Sequence, residues 1–254
     1  MSADIVSLSD FIKIFLSPMY TNATPEKASK IYDVITRNFN VDELEYLDND
    51  DFGDTGLIIY KNKEVVLKLT TDDYEVKSAT AIQGINLEYV VEIYEAYFFA
   101  NLSLTRKDDN SVHNVGIILE EYLPKLYLKN RAEADFLETT VDNIKNKYNI
   151  WSNQLASMQE HKRRELLKMG MEELIPEVKN TPSRSSLPLI AIGLEELYNQ
   201  GIYMVQCYGI DISRTKDNIP KIMNLGDSSP PSEHEVPEVR NNPRFNYGYY
   251  DVQE

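Results

Sequence analysis

The chain has 254 residues, 42% apolar and 26% charged, and carries a formal net charge of −15, a surplus that opposes non-specific binding to nucleic acid or to an anionic membrane surface. Its single cysteine, Cys207, excludes an intramolecular disulfide, and with only His113, His161 and His234 beside it there is no metal-ligand spacing of the zinc type. No stretch has the order of a signal peptide or the roughly 20 apolar residues of a membrane span, so the chain is expected to be cytoplasmic, with no nucleic-acid or membrane partner.

Leu8 to Leu16 is apolar at 8, 11, 12, 14, 15 and 16, which predicts a short helix with one apolar face. Thr24-Pro25-Glu26 opens a second. Thr24 suits the N-cap, Pro25 the first helical position and Glu26 the positive end of the helix dipole, and Ala28, Ile31, Val34, Ile35 and Phe39 share one side. Both helices are expected to pack on the elements that follow. The acid-rich segment Asp42 to Asp54 lacks the offsets of a Ca²⁺ loop and reads as a solvated strand and turn, with Leu44 to Leu47 as the strand.

Residues 51 to 69 predict a hairpin: a small loop punctuated by Gly53 and Gly56, a strand from Leu57 to Tyr60, a turn at Lys61-Asn62-Lys63, and a returning strand from Glu64 to Leu69. Lys68 stands among Val66, Leu67 and Leu69. A long cation is unfavourable there unless an anionic group meets it or the chain snorkels to water. Thr71 to Ala79 starts a helix in which Asp72 and Glu75 have capping-box spacing, so Glu75 has two readings, a cap or the anion that meets Lys68. Tyr89 to Phe99 and Val115 to Leu123 are two further strands, joined by the polar loop Leu104 to His113, and the second ends in Glu120-Glu121-Tyr122-Leu123.

From Arg131 to Lys179 the pattern is helical, with Phe136, Val141, Ile144, Tyr148, Trp151 and Leu155 recurring at spacings of three to five. The run His161-Lys162-Arg163-Arg164 reads as a solvated face. Thr181 to Ser186 breaks the helices, and Leu187 to Asn199 forms an apolar one that Gly201 stops in the left-handed region.

A strand, a glycine-containing loop, a strand bearing a lysine, a helix, two strands and an acidic linker, in that order, resemble the protein-kinase-like fold. The resemblance implies an α+β, two-lobed protein with an antiparallel β-sheet small lobe and a mainly helical, shortened large lobe. Its parts are N-terminal helices at 1–40, the small lobe at 41–123, the large lobe at 124–228 and an extended tail at 229–254. It also implies cofactor-binding roles for Gly53 and Gly56 over nucleotide phosphates, for Lys68 in Val65-Val66-Leu67-Lys68, for Glu75 as its partner, and for Glu121 in the linker. Ile202 to Ser229 has the layout of the family's catalytic and metal-binding hairpin, with Lys221 to Gly226 resembling its strand followed by D-F-G. Asn224 stands where the metal-binding aspartate belongs. One alignment of the catalytic loop puts Ile202 and Cys207 at the acid and amide positions; another makes Asp211 the base, with Asn218 seven residues on rather than five. Neither restores the motif.

The expected reading is therefore a catalytically impaired, pseudokinase-like domain that binds a protein partner or acts as a scaffold, with ATP as the one candidate cofactor and Mg²⁺ expected only in an active enzyme. The alternative is a divergent ATP-dependent phosphotransferase in which Lys68 holds phosphate, Asp211 is the base and Asp227 replaces Asn224 as ligand to Mg²⁺. A third reading is a structural component of a larger assembly, such as a virus particle. The polar tail from Ser229 cannot bury enough apolar surface to order itself, and its rings Phe245, Tyr247, Tyr249 and Tyr250 are expected to be buried against this chain or a partner.

Overall fold

The computed structural model describes residues 4–16, 19–49, 52–126, 130–155, 157–182, 185–208, 211–226, 228–231 and 249–250. It is α+β, and it divides into two compact units: Met1–Gln83 with Ile93–Tyr122 and Asn241–Glu254, and Gly84–Glu92 with Leu123–Arg240. Among the described residues, no helix is long and apolar enough to cross a membrane.

The first unit is built on one sheet. Its strands are β1 (Ile5–Ser7), β2 (Glu43–Asn49), β3 (Gly53–Tyr60), β4 (Lys63–Thr70), β5 (Ile93–Thr105) and β6 (Val112–Glu121), in the spatial order β1-β2-β3-β4-β6-β5 and antiparallel throughout. The two residues Tyr249–Tyr250 add a short parallel strand outside β5, opposite Phe98 and Phe99. Phe245 and Tyr247 lie outside the described residues. The β3–β4 hairpin closes through Lys61 and Asn62 alone, both at positive φ, and Tyr60 pairs with Lys63. Two successive left-handed residues give the turn whose twist matches that of the strands it joins.

Period-two alternation gives this sheet two different faces. Val65, Leu67 and Leu69 of β4 and Val115, Ile117 and Leu119 of β6 point to the face covered by the helices α1 (Leu8–Leu16) and α2 (Pro25–Phe39), where Phe11, Ile12, Phe15, Ile31 and Ile35 complete the core. The expected packing of both helices on the sheet is thus found. Thr24 Oγ1 accepts the Lys27 amide and Pro25 occupies the first turn, so α2 starts where its capping chemistry predicts. Val66, Lys68 and Thr70 point to the other face, together with Gly116, Ile118 and Glu120 of β6. Helix α3 (Asp73–Ile82) lies there. A side chain at Gly116 would collide with Val76, so the glycine is what lets the helix approach the sheet.

Several strand boundaries differ from expectation: β2 is longer than Leu44 to Leu47, Lys63 belongs to β4 rather than to the turn, and β6 ends at Glu121 rather than Leu123. Gly53 and Gly56 are not in a loop. They pair within β3, opposite Thr70 and Leu67, and each is glycine because of close approach: a side chain at Gly53 would strike the Leu69 carbonyl and one at Gly56 would strike Leu44. The loop read from Leu104 to His113 is shorter, because β5 runs on to Thr105 and β6 begins at Val112, leaving a turn closed by the Arg106 amide on the Ser111 carbonyl at 2.9 Å. Tyr89 to Glu92 do not belong to β5: the Ile222 amide donates to the Tyr89 carbonyl and the Val91 amide to the Ile222 carbonyl, which commits that backbone to the second unit.

The second unit holds helices α4 (Arg131–Tyr148), α5 (Ser152–Leu155), α6 (Glu160–Lys179) and α7 (Leu187–Asn199), and a small antiparallel sheet of β7 (Lys125–Leu126), β8 (Ile212–Arg214) and β9 (Pro220–Ile222). The buried stripe of α4 is Leu137, Val141 and Ile144, one position round from the expected start at Phe136, which is exposed. Helix α7 has the predicted bounds, and Gly201, at φ 72°, turns the chain out of it. The basic run is not a solvated face throughout. Arg163 is buried and donates to the Ser228 carbonyl at 3.0 Å, while Arg164 donates to the carbonyls of Gly201, Ser229 and Pro230.

Candidate functional site

In the first unit the candidate site grows from strand β4 and helix α3. Apolar neighbours bury Lys68, and its Nζ donates to Glu75 Oε1 at 2.7 Å, so the anionic partner is supplied by the next element in the chain. The two readings of Glu75 divide between its backbone and its side chain. Asp72 Oδ1 caps the helix by accepting the amides of Tyr74 and Glu75, at 2.9 and 3.2 Å, whereas the Glu75 carboxylate reaches Lys68 and also accepts from Thr70 Oγ1 at 3.3 Å. Thr70 Oγ1 in turn accepts the Asp72 amide at 3.1 Å, the position a reciprocal capping glutamate would have taken. A buried pair of this kind owes its persistence to such extra hydrogen bonds, because desolvation of both charges offsets most of their attraction.

A residue not singled out from sequence joins them. Glu120 is half-buried, stands opposite Val66 and so lies one diagonal step from Lys68 on the same face. Burial pushes its carboxyl up to about 8; the Lys68 charge acts in the opposite sense, and Glu75 and Glu121 add to the rise. The signal was available, since once Lys68 is placed on a face, the β4–β6 register decides which member of Glu120-Glu121 shares it. Glu121 pairs with Val65 and faces the other way. Of the two glycines, Gly53 is opposite Thr70 on the Lys68 face, while Gly56 packs toward Leu44 on the opposite face. A separate groove of about 940 Å³ runs along α1 and α2, lined by Ile12, Leu16, Tyr20, Ala28 and Tyr32, and no residue of β4 or α3 lines it.

In the second unit, Asp211 is buried just before β8. Its Oδ1 accepts from Asn224 Nδ2 at 3.0 Å and its Oδ2 from the Tyr208 amide at 2.8 Å; its carbonyl accepts the Met223 amide at 3.0 Å. Asn224 Oδ1 accepts the Gly226 amide at 2.9 Å. Both residues thus spend their oxygens on protein donors. A Mg²⁺ ion prefers carboxylate and water oxygens in a near-octahedral set, and one carboxylate with one amide, all already accepting, fits it poorly. Asp227, the substitute ligand of the alternative reading, lies outside the described residues. Asn218 is not brought to Asp211: it is exposed in the turn beyond β8, at φ 68°, and its carbonyl accepts from Arg214. Ile202 and Cys207 are both buried, and burial holds the Cys207 thiol well above its ordinary range.

Beside Asp211 is a polar group that sequence reading missed. Lys145 of α4 is buried and donates to Gln206 Oε1 at 3.1 Å; the Tyr208 hydroxyl lies 3.4 Å from its Nζ, and the Trp151 and Tyr208 rings lie 5.2 Å from it. The Tyr208 hydroxyl donates to Asp142 at 2.9 Å. Nothing in the spacing of Asp142, Lys145, Gln206 and Tyr208 announces this, because it depends on a helix meeting a distant loop. No protein-family model matches the chain, and no curated protein matches it.

Proposed function

We propose that this chain is a two-lobed, protein-kinase-like protein in which phosphotransfer is impaired and whose role is to bind a protein partner or to act as a scaffold. The observation that supports the reading is the Asp211–Asn224–Gly226 chain of hydrogen bonds, in which an amide stands where the resemblance expects a metal-binding carboxylate. Phosphoryl transfer depends on metal and positioned charge, so a corner with an amide in place of a carboxylate loses the larger part of its electrostatic stabilisation. The Lys68–Glu75 pair, on a strand and on the helix that follows it, supports the family resemblance without requiring catalysis.

The same pair favours a second reading, a divergent ATP-dependent phosphotransferase using Lys68, Asp211 and Asp227. A thermal-shift titration with ATP, run with and without Mg²⁺ and beside a phosphate-release assay, separates the two. An enzyme gives metal-dependent stabilisation and turnover abolished in both Asp211→Ala and Asp227→Ala. An impaired nucleotide binder gives stabilisation independent of metal, and a scaffold gives none.

A further inference from the structure

We infer that Glu120 is a second, competing acceptor for Lys68, and that loss of its proton moves the lysine from Glu75 to Glu120 and so loosens helix α3 from the sheet. The geometry is set by register. Lys68 pairs with Ile118 and Val66 with Glu120, so Lys68 has one carboxyl above it on α3 and another diagonally beside it on β6. These two differ in what they hold. Glu75 ties α3 to β4 through Lys68 and Thr70, whereas Glu120 is carried by β6 of the sheet itself.

Among the described residues, β4 contributes Lys68 and α3 contributes Glu75 beside Glu120, and β5 places apolar Ile93 opposite it, with Glu95 further along and held by Gln83 at 3.2 Å; the adjacent Glu121 of β6 faces the other way but adds its charge. One cation thus faces more than one carboxyl. While Glu120 keeps its proton, the Lys68 ammonium bonds Glu75 at 2.7 Å and α3 is pinned. When the proton passes to water, the carboxylates of Glu75 and Glu120 compete for the Lys68 ammonium, and their mutual repulsion is relieved by displacement of Glu75, which stands on a separate helix rather than within the sheet. Burial of Glu120 raises its carboxyl far enough for this to occur near neutrality rather than in acid.

The measurement is hydrogen exchange of the α3 amides in the full chain from pH 6 to 9.5, corrected for the pH dependence of intrinsic exchange. The expected result is protection that falls by up to about tenfold per pH unit as pH rises toward the value at which Glu120 ionises in the folded chain, and that levels off above it, as release of one proton on opening requires. The fall should be confined to α3 and the turn before it, and should vanish in Glu120→Gln and in Glu120→Met, the second of which needs no polar partner. Protection of wild-type α3 that does not change with pH overturns the inference. So does a fall that persists in either variant.

Discussion

Val76 of α3 occupies the space that a side chain on Gly116 of β6 would need. The helix bearing Glu75 is therefore seated by the absence of one methyl group, and the distance from Glu75 to Lys68 depends on that seat. Gly116→Ala should force the helix outward and cost about 1–3 kcal/mol, the usual cost of overpacking. Denaturant unfolding measures this, and Val76→Ala in the same chain should restore part of the loss; equal stability of Gly116→Ala and wild type would show that the helix is not seated there.

The Lys68–Glu75 pair predicts a strongly non-additive double-mutant cycle. Either Lys68→Met or Glu75→Gln leaves one buried group without its partner and should cost about 3–5 kcal/mol, while the double substitution should cost less than the sum of the two. Urea midpoints of the four proteins give the coupling directly.

Glu120 predicts how stability changes with pH. Its carboxyl is raised from 4.5 to about 8 in the folded chain, so between those values the folded state binds more protons than the unfolded one. Stability from this group is then greatest below the unfolded value, falls as pH rises through the interval and levels off above about 8, by on the order of 1–3 kcal/mol for a half-buried group. Glu120→Gln should flatten that part of the profile, and a wild-type profile that rises from pH 5 to 8 with the same shape in the variant would contradict it.

Local chemistry made most of the fold legible. The cap at Thr24-Pro25, the hairpin around Lys61-Asn62, the cap at Asp72 and the bounds of α7 each depend on residues a few positions apart, and each is found where expected. The errors have a common cause. Gly53 and Gly56 looked like loop residues because flexibility is the commonest reason for glycine, and only the partner strand shows that close approach is the reason here. Tyr89 to Glu92 have strand composition, but their hydrogen bonds go to Ile222, which lies far away in sequence. The candidate site divides in the same way: Lys68 and Glu75 could be paired because they are neighbours in the chain, whereas Glu120 needed the sheet register and Lys145 needed a helix-to-loop contact. Arg163 was misread because a basic run in an acidic chain is usually solvated, and here its guanidinium serves a buried carbonyl.

The last prediction concerns Asn224, whose amide is what allows Asp211 to be buried beside it. Asn224→Asp replaces a donor with a second carboxylate at hydrogen-bond distance from the first. Two like charges that close cannot both ionise freely, so one must take up a proton or the corner must open. In metal-free buffer at pH 7 the variant should be destabilised by about 1–3 kcal/mol, with the loss shrinking as pH falls and the extra carboxyl is protonated. The same substitution also creates the paired carboxylates that Mg²⁺ prefers, so millimolar Mg²⁺ should raise the melting temperature of the variant and leave that of the wild type unchanged. Calorimetric scans in EDTA and in Mg²⁺ decide it. A wild-type chain stabilised by Mg²⁺ as strongly as the variant would mean that the native corner already holds the metal, and would move the balance to the phosphotransferase reading.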